Sequence, residues 1–450
     1  MNRRTFVSSL AVAGVAVATS SKLFSAETKP RPKVGLIGCG WYGGVILENF
    51  ARFAQVEIVS LCDVNARAQK RLLGLVAKYQ QAIPHTFTDY RAMLAATHHD
   101  IVIVATPDHW HALAAIAAIK AGADVFLEKP VGVDVIEGEA LVSAARKYDR
   151  TVQVNTHRRS NPMNVKVREE YVRSGKLGRI GLVEAYSFLG GRLNEILPAA
   201  EPPPYLDYEL WTGPAPLRPF LPLMESKGWR SFMEYGNGLI GDLGVHLIDH
   251  ARWMLGLGWP ESIHSTGGIY VSPASSSNIS DTQRSVFRYP HLDLSWEHRS
   301  WGLSPIPARH WTDQWGTRFH GTNGTLYMTM YGYEFVPANG GLREGFHMLS
   351  RTGNPNHLDF SREGTCYDET NQQHVTDFMT ARLNHSRPVS DIAEAHISTA
   401  CAELANLSQE LGRPLVYDAK TRTVPGDPEA TRRLARTYRS PWVHPDPAAV

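Results

Sequence analysis

Asp242, His246, Asp249 and His250 follow one another at helical spacing, and a lysine stands far upstream at 129. Positions three and four apart share a helix face, so these four residues fall on one polar stripe. Leu243, Leu247, Ala251 and Met254 form an apolar stripe beside it. A histidine titrates near neutrality and can take a hydroxyl proton while the adjoining carbon is oxidised. A lysine can supply a charged donor to a reacting oxygen, and Lys129 equally suits a surface cation before a proline turn. Asp242 is placed to orient either the substrate or His246. The same pattern also suits a helix that solvates one face, and Asp242 also suits a helix cap.

A second constellation lies nearer the N-terminus. Gly38, Gly40 and Gly43 fit G-x-G-x-x-G directly after the apolar run "KVGLI" (33–37). The first glycine permits a tight turn, the second a close approach of backbone to a pyrophosphate, the third close packing of helix on strand. The helix N-terminus then offers free N–H groups and a favourable dipole to the phosphates. Asp63 lies 20 residues past Gly43, at the end of the next apolar run, placed to accept from a ribose hydroxyl. It would repel a 2′-phosphate, which favours NAD; Arg67, four residues on, is the one feature that would suit NADP. Cys39, Trp41 and Tyr42 in the turn, Thr106, Pro107, His109 and His111 after a later strand, and Glu128 beside Lys129 complete the expected cofactor contacts.

The intervening pattern alternates strand and helix. Strands are predicted at 33–37, 56–63, 100–107, 124–130 and 151–155, and helices at 45–53, 67–79, 111–122 and 134–147. Such alternation implies a doubly wound parallel sheet, that is, a Rossmann domain. "THRRS" (156–160) ends that series, and His157 and Arg158 are candidate contacts for a sugar or an anionic group, with interdomain packing as the alternative. Asp249 and His250 are further substrate candidates. In "DHWH" (108–111) two histidines two apart have poor geometry for joint ligation, and no metal site is predicted. Tyr208 and Trp211 read as core aromatics or a sugar-stacking wall. Beyond 260 the chain reads as strands at 263–271, 284–290, 292–301 and 315–337, then a long polar loop over 338–369 suited to a lid, then helices at 372–384 and 391–411. No role for the tail follows from its residues.

The chain has 450 residues, 43% apolar and 20% charged, with a net charge of +2. That is ample for more than one core and gives no sign of nucleic-acid binding. Cys39, Cys62, Cys366 and Cys401 lack metal spacing and read as buried thiols. The N-terminus has the three parts of a signal peptide: "NRR", the short apolar run "LAVAGVAVA" (10–18) and small residues "ATS" (18–20). Arg3-Arg4 followed by Thr5, Phe6 and Val7 is similar to a twin-arginine signal, which implies the twin-arginine translocase as an export partner and a periplasmic location. A Sec signal or an uncleaved anchor is the alternative. No membrane span is expected in the mature form. The expected organisation is signal and linker to 30, a nucleotide domain over 31–158, a substrate domain over 159–420 and a tail over 421–450.

"EKP" (128–130), "ATPDHWHA" (105–112), "VQVNTHRRSNP" (152–162), "YELWTGPAP" (208–216), "YGNGLIGDLGVHLIDH" (235–250) and the long segment 374–418 together resemble the Gfo/Idh/MocA family of oxidoreductases. The later motifs are most similar to its exported branch. The resemblance implies a Rossmann domain joined to an α/β domain on a large, mostly antiparallel sheet, whose outer face commonly makes a homo-oligomer. It implies Lys129, Asp242 and His246 as the catalytic set beside nicotinamide, with the bond before Pro130 often cis. The expected activity is NAD(P)-dependent oxidation of a sugar, polyol or glycoside hydroxyl, with a small carbohydrate as substrate. A redox-neutral glycoside cleavage through transient oxidation is the alternative; relatives that cleave N-acetylgalactosaminides in this way lack the lysine. A non-catalytic sugar-binding protein is the third. An exported enzyme has no free NAD pool outside the cytoplasm, so the cofactor is expected to stay bound and be reset in place.

Overall fold

The computed structural model describes residues 30–189, 195–302, 304, 311–350, 352 and 359–450. The expected signal and linker, residues 1–30, therefore lie outside the described residues apart from position 30.

Six parallel strands form the first sheet: β1 (Lys33–Ile37), β2 (Glu57–Cys62), β3 (His85–Phe87), β4 (Ile101–Val104), β5 (Asp124–Leu127) and β6 (Val152–Val154). Their order is β3-β2-β1-β4-β5-β6. The order reverses between β1 and β4, and such a reversal opens a crevice at the carboxyl ends of the strands. β4 reads Ile-Val-Ile-Val and is buried along its whole length, as a strand covered on both faces must be. Helix Trp41–Phe53 starts four residues earlier than its apolar pattern indicates, because Gly43 and Gly44 belong inside it. The short β3 and the helix Tyr90–Ala96 carry too little periodicity to be read from sequence.

Eight strands form the second sheet: β7 (Ile180–Ser187), β8 (Ser262–Gly268), β9 (Thr282–Arg288), β10 (Asp293–Arg299), β11 (Trp315–Gly321), β12 (Gly324–Met328), β13 (Gly332–Pro337) and β14 (Glu344–His347). The order is β14-β13-β12-β11-β7-β10-β9-β8. β7 runs parallel to β10, and the other pairs are antiparallel. One face packs on helices Val245–Leu255 and Ile392–Leu411, joining Leu247, Phe287, Trp296, Phe319 and Leu404 in a single core.

The expected loop over 338–369 is corrected. Residues 344–347 pair with β13 as an edge strand, and a helix already begins at Glu363 and runs to Leu383. That helix has scarcely any apolar stripe, which is why its first turns read as loop. Positions 351 and 353–358 lie outside the described residues. The tail also acquires a place. Trp442 meets Trp110 edge-on at 4.7 Å, Arg436 N–H and His444 Nε2 reach Asp134 Oδ2, and Lys147 Nζ donates to the Val450 carbonyl. Asp134, Glu137 and His444 form the one metal-capable cluster among the described residues, but their oxygens already accept from N–H and O–H groups of this chain. No helix among the described residues is long and apolar enough to cross a membrane.

Candidate active site

A cleft opens where β1 and β4 diverge, and Gly38, Gly40, Trp41, Tyr42, Asp63, Thr106, Pro107, Glu128 and Lys129 line it as expected. Gly38 has φ +98°, and a Cβ there would stand 2.5 Å from Ala105 backbone. A Cβ on Gly43 would stand 2.0 Å from the Gly38 carbonyl oxygen. On Gly40 it would meet nothing within 4 Å, so that face of the turn is open. Helix Trp41–Phe53 has no side-chain cap and no acidic residue in its first turn, leaving its N-terminus to an anion. These features fit a dinucleotide pyrophosphate.

Asp63 does more than face the cleft. Its Oδ2 accepts from Cys39 N–H at 2.5 Å and its Oδ1 from Asn65 N–H at 2.8 Å, so the carboxylate also fixes the glycine turn. Burial raises its pKa to about 6, against the pull of those two N–H bonds. Cys39 contributes that N–H, while its thiol is buried against the Cys62 carbonyl.

Three expected cofactor contacts are corrected. Arg67 is outside the cleft lining; its guanidinium stacks 3.7 Å over Tyr205. His109 is buried with Nε2 3.0 Å from the Trp211 carbonyl oxygen and is not part of the cleft lining. His111 sits between the carbonyls of Pro130 (2.6 Å) and Thr106 (3.0 Å), where it spaces two cleft loops without lining the cleft. Burial lowers the pKa of both histidines to about 4, so neither ring carries charge at neutral pH. Trp211 does line the cleft, from within an aromatic core that includes Tyr208.

At the inner end of the cleft the Lys129–Pro130 bond is cis, and Lys129 Nζ donates to Asp242 Oδ1 at 2.8 Å and to the Asp242 carbonyl at 2.9 Å. Arg230 Nε reaches the same Oδ1 at 3.2 Å. Burial alone would raise the Asp242 pKa; Lys129 and Arg230 outweigh it and hold the carboxyl well below the usual range. Asp242 therefore serves Lys129 and Arg230. Glu128 is pushed up to about 7 and Asp108 to about 8 by burial, each against Lys129 and Arg230. Sequence reading missed Arg230 and Asp108. Arg230 had no spacing to betray it; Asp108 lay in plain view as a helix-start aspartate.

His246 is 9% exposed, and its Nδ1 has no hydrogen-bond partner among the described residues. Burial, then Lys129, His157 and Arg158, depress its pKa well below 6.5, so the ring is a neutral acceptor. His157 packs edge-on against it at 5.5 Å, and Trp315 lies at 6.2 Å on another side. His157 and Arg158 thus join His246. Asp249 and His250 do not, and their expected substrate role is corrected. Asp249 is fully buried in a bidentate pair with Arg159 at 2.7 and 2.9 Å, and His250 Nδ1 lies 3.1 Å from Thr317 Oγ1. The expected stripe splits because Asp242 sits in a π-helical turn, Ile240–Gly244, before the α-helix Val245–Leu255 begins. The wider turn breaks the 3.6-residue register.

Comparison with known proteins agrees with this geometry. Residues 32–156 match the Gfo/Idh/MocA oxidoreductase family's NAD-binding Rossmann fold, and residues 185–264 match its C-terminal alpha/beta domain. The chain is 26% identical over 253 residues to the uncharacterized oxidoreductase YrbE of Bacillus subtilis, covering 56% of this chain and 61% of the relative. It is 33% identical over 122 residues to a glycosyl hydrolase family 109 protein of Shewanella, covering 26% of this chain and 27% of the relative. The chain thus spans less than two thirds of these curated relatives. The WlbA dehydrogenase of Bordetella pertussis, solved with NADH and UDP-GlcNAcA, shares the fold at TM-score 0.60 and 20% identity, over 86% of this chain and 99% of that one. With the glycine turn and the EKP lysine in place, residues 32–156 and 185–264 are similar to the two domains of the Gfo/Idh/MocA family of oxidoreductases.

Proposed function

We propose that this protein is an NAD-dependent oxidoreductase acting on a hydroxyl of a sugar or polyol. The observation that carries the reading is Lys129, on the lining of a dinucleotide cleft, bonded to Asp242 and close enough for its charge to act on a neutral His246. When bound, NAD supplies the hydride acceptor. The glycine turn holds the pyrophosphate, and Asp63 takes the ribose hydroxyls. An ammonium has three protons. Two of those on Lys129 are spent on Asp242, which aims the third at the substrate oxygen. That oxygen's proton passes to His246 as the carbonyl forms. Arg230 helps keep Asp242 ionised and so keeps the lysine fixed.

NAD is preferred to NADP in this reading because Asp63 stands where a 2′-phosphate would be repelled and Arg67 is stacked on Tyr205. A sugar substrate is supported by the UDP-GlcNAcA bound to the WlbA neighbour. The partial match to a glycosyl hydrolase family 109 protein favours a second reading, redox-neutral glycoside cleavage with no net NADH. We further propose twin-arginine export, on the Arg3-Arg4 motif, and retention of the cofactor through turnover. A homo-oligomer is proposed through the outer face of the second sheet, where the register puts exposed Leu182, Val286 and Tyr327 on one side. Single-turnover absorbance of the purified protein with sugars and glycosides tests the chemistry. Reduced nicotinamide after a sugar supports oxidation; aglycone release without it supports the second reading.

A further inference from the structure

Arg158 is 1% exposed, and none of its three guanidinium nitrogens has a hydrogen-bond partner among the described residues. Nearly every buried polar group in a native protein is paired, and a buried cation is normally paired with a charge. The neighbouring buried arginines obey that rule. Arg159 pairs with Asp249, and Arg252 donates to Ser398 and to Glu394. Among the described residues Arg158 has neither kind of partner. The groups that bear on its charge are the phenols of Tyr367, Tyr331 and Tyr186, with no carboxylate among them.

Its position ties it to the reaction site. One face of the guanidinium lies 4.3 Å over the Trp315 ring, and that ring is 6.2 Å from His246. The charge of Arg158 is felt by both His157 and His246. Trp315 Nε1, His157 Nδ1 and His246 Nδ1 are also buried without hydrogen-bond partners among the described residues, so unpaired polar atoms gather around one cation. With Trp315 on its face, the guanidinium keeps its in-plane N–H fork free, the geometry that matches a carboxylate in bidentate fashion.

We propose that Arg158 is an anion subsite of the substrate pocket, and that the sugar it receives carries a carboxylate, as an aldonic or uronic acid does. This rests on the oxidoreductase reading for the word substrate, but the anion subsite stands on the unpaired arginine alone. A monoanion fits better than a phosphate dianion. Burial and Arg158 lower the His157 pKa to about 4, and His246 is likewise neutral, while Lys129 and Arg230 both bond to Asp242. A single guanidinium without a hydrogen-bond partner among the described residues therefore stands beside two neutral rings.

The test uses the full chain loaded with NAD. Binding is read by thermal shift and turnover by nicotinamide absorbance, with glucuronate, galacturonate and gluconate set beside glucose, galactose and sorbitol, and glucose 6-phosphate as a dianion. The acidic sugars are expected to bind about 10²-fold more tightly than their neutral counterparts. Arg158→Gln should collapse that ratio to near one, and Arg158→Lys should restore part of it. Should Arg158→Gln fail to fold, the wild-type ratio decides. Equal binding of acidic and neutral sugars, equal weakening of both by Arg158→Gln, or tightest binding of the phosphate overturns the proposal. Acidic sugars that bind through Arg158 without reducing nicotinamide leave the anion subsite standing and sink the oxidoreductase reading. Neutral sugars that reduce it while the acids do not bind do the reverse.

Discussion

Lys129 Nζ and Asp242 Oδ1 lie 2.8 Å apart although 113 positions separate them in the chain, and the pair is only 8% and 25% exposed. The contact joins the end of β5 to the π-helical turn of the second half of the molecule. It turns a flexible side chain into a donor with one free direction.

Lys129→Met should lower kcat by about 10²–10³-fold, the usual cost of removing a charged donor to the reacting oxygen. NAD affinity, read by fluorescence titration, should stay within about threefold. Asp242→Asn should also lower kcat, by about 10-fold or more, because it frees the ammonium without removing it. Normal turnover by Lys129→Met would remove the lysine from the chemistry.

Two glycines in the same turn should respond in opposite ways. Gly43→Ala places a Cβ 2.0 Å from the Gly38 carbonyl oxygen, and overpacking of this kind costs about 1–3 kcal/mol, so Tm should fall. Gly40 has φ −62° and open space around its Cβ position, so Gly40→Ala should leave Tm of the cofactor-free protein nearly unchanged. It should still weaken NAD binding, because the cofactor needs that space. Calorimetry with and without NAD reads both.

NAD should bind more tightly as pH rises through about 6. Asp63 is raised to about 6 by burial, and its ionised form is the better acceptor for ribose hydroxyls. Below that pH the cleft must release a proton on binding, so affinity is lost on acidification. Between pH 5 and 7 the change should approach about tenfold. Asp63→Asn should flatten this dependence, since it keeps an acceptor for Cys39 N–H but cannot titrate. An equally steep profile in the variant would assign the proton elsewhere, with Glu128 the next group to examine.

The His246 ring should stay neutral from pH 8 down through 6.5, because burial and the nearby cations depress its pKa. A general base fails once protonated, so its acid limb should fall well below 6.5. Imidazole NMR against pH checks this; a His246 signal titrating at 6.5 would contradict it.

Asp249→Ala should destabilise the fold by about 3–5 kcal/mol, because it strands Arg159 without its buried partner. A shift in KM with unchanged Tm would instead restore Asp249 to the substrate site.

The sequence by itself determined the nucleotide half. Gly38, Gly40 and Gly43 act within a single turn, and the strands and helices around them repeat with local periods that any window of the chain reveals. The EKP lysine and the Asp242–His246 segment were legible as chemistry, and the second sheet as a run of strands. The tertiary structure decided which of these groups meet. The 242–250 stripe looked uniform because a constant helical period was assumed, and the π-helical turn breaks that period. Helix Val245–Leu255 is buried on all sides up to Met254, so its polar residues face different interior partners and no shared solvent face. Lys129, Arg158 and the Arg230–Asp242 pair come from three separate segments of the chain. Their pairing, or its absence, depends on charge and burial in three dimensions, and no spacing along the chain carries that information.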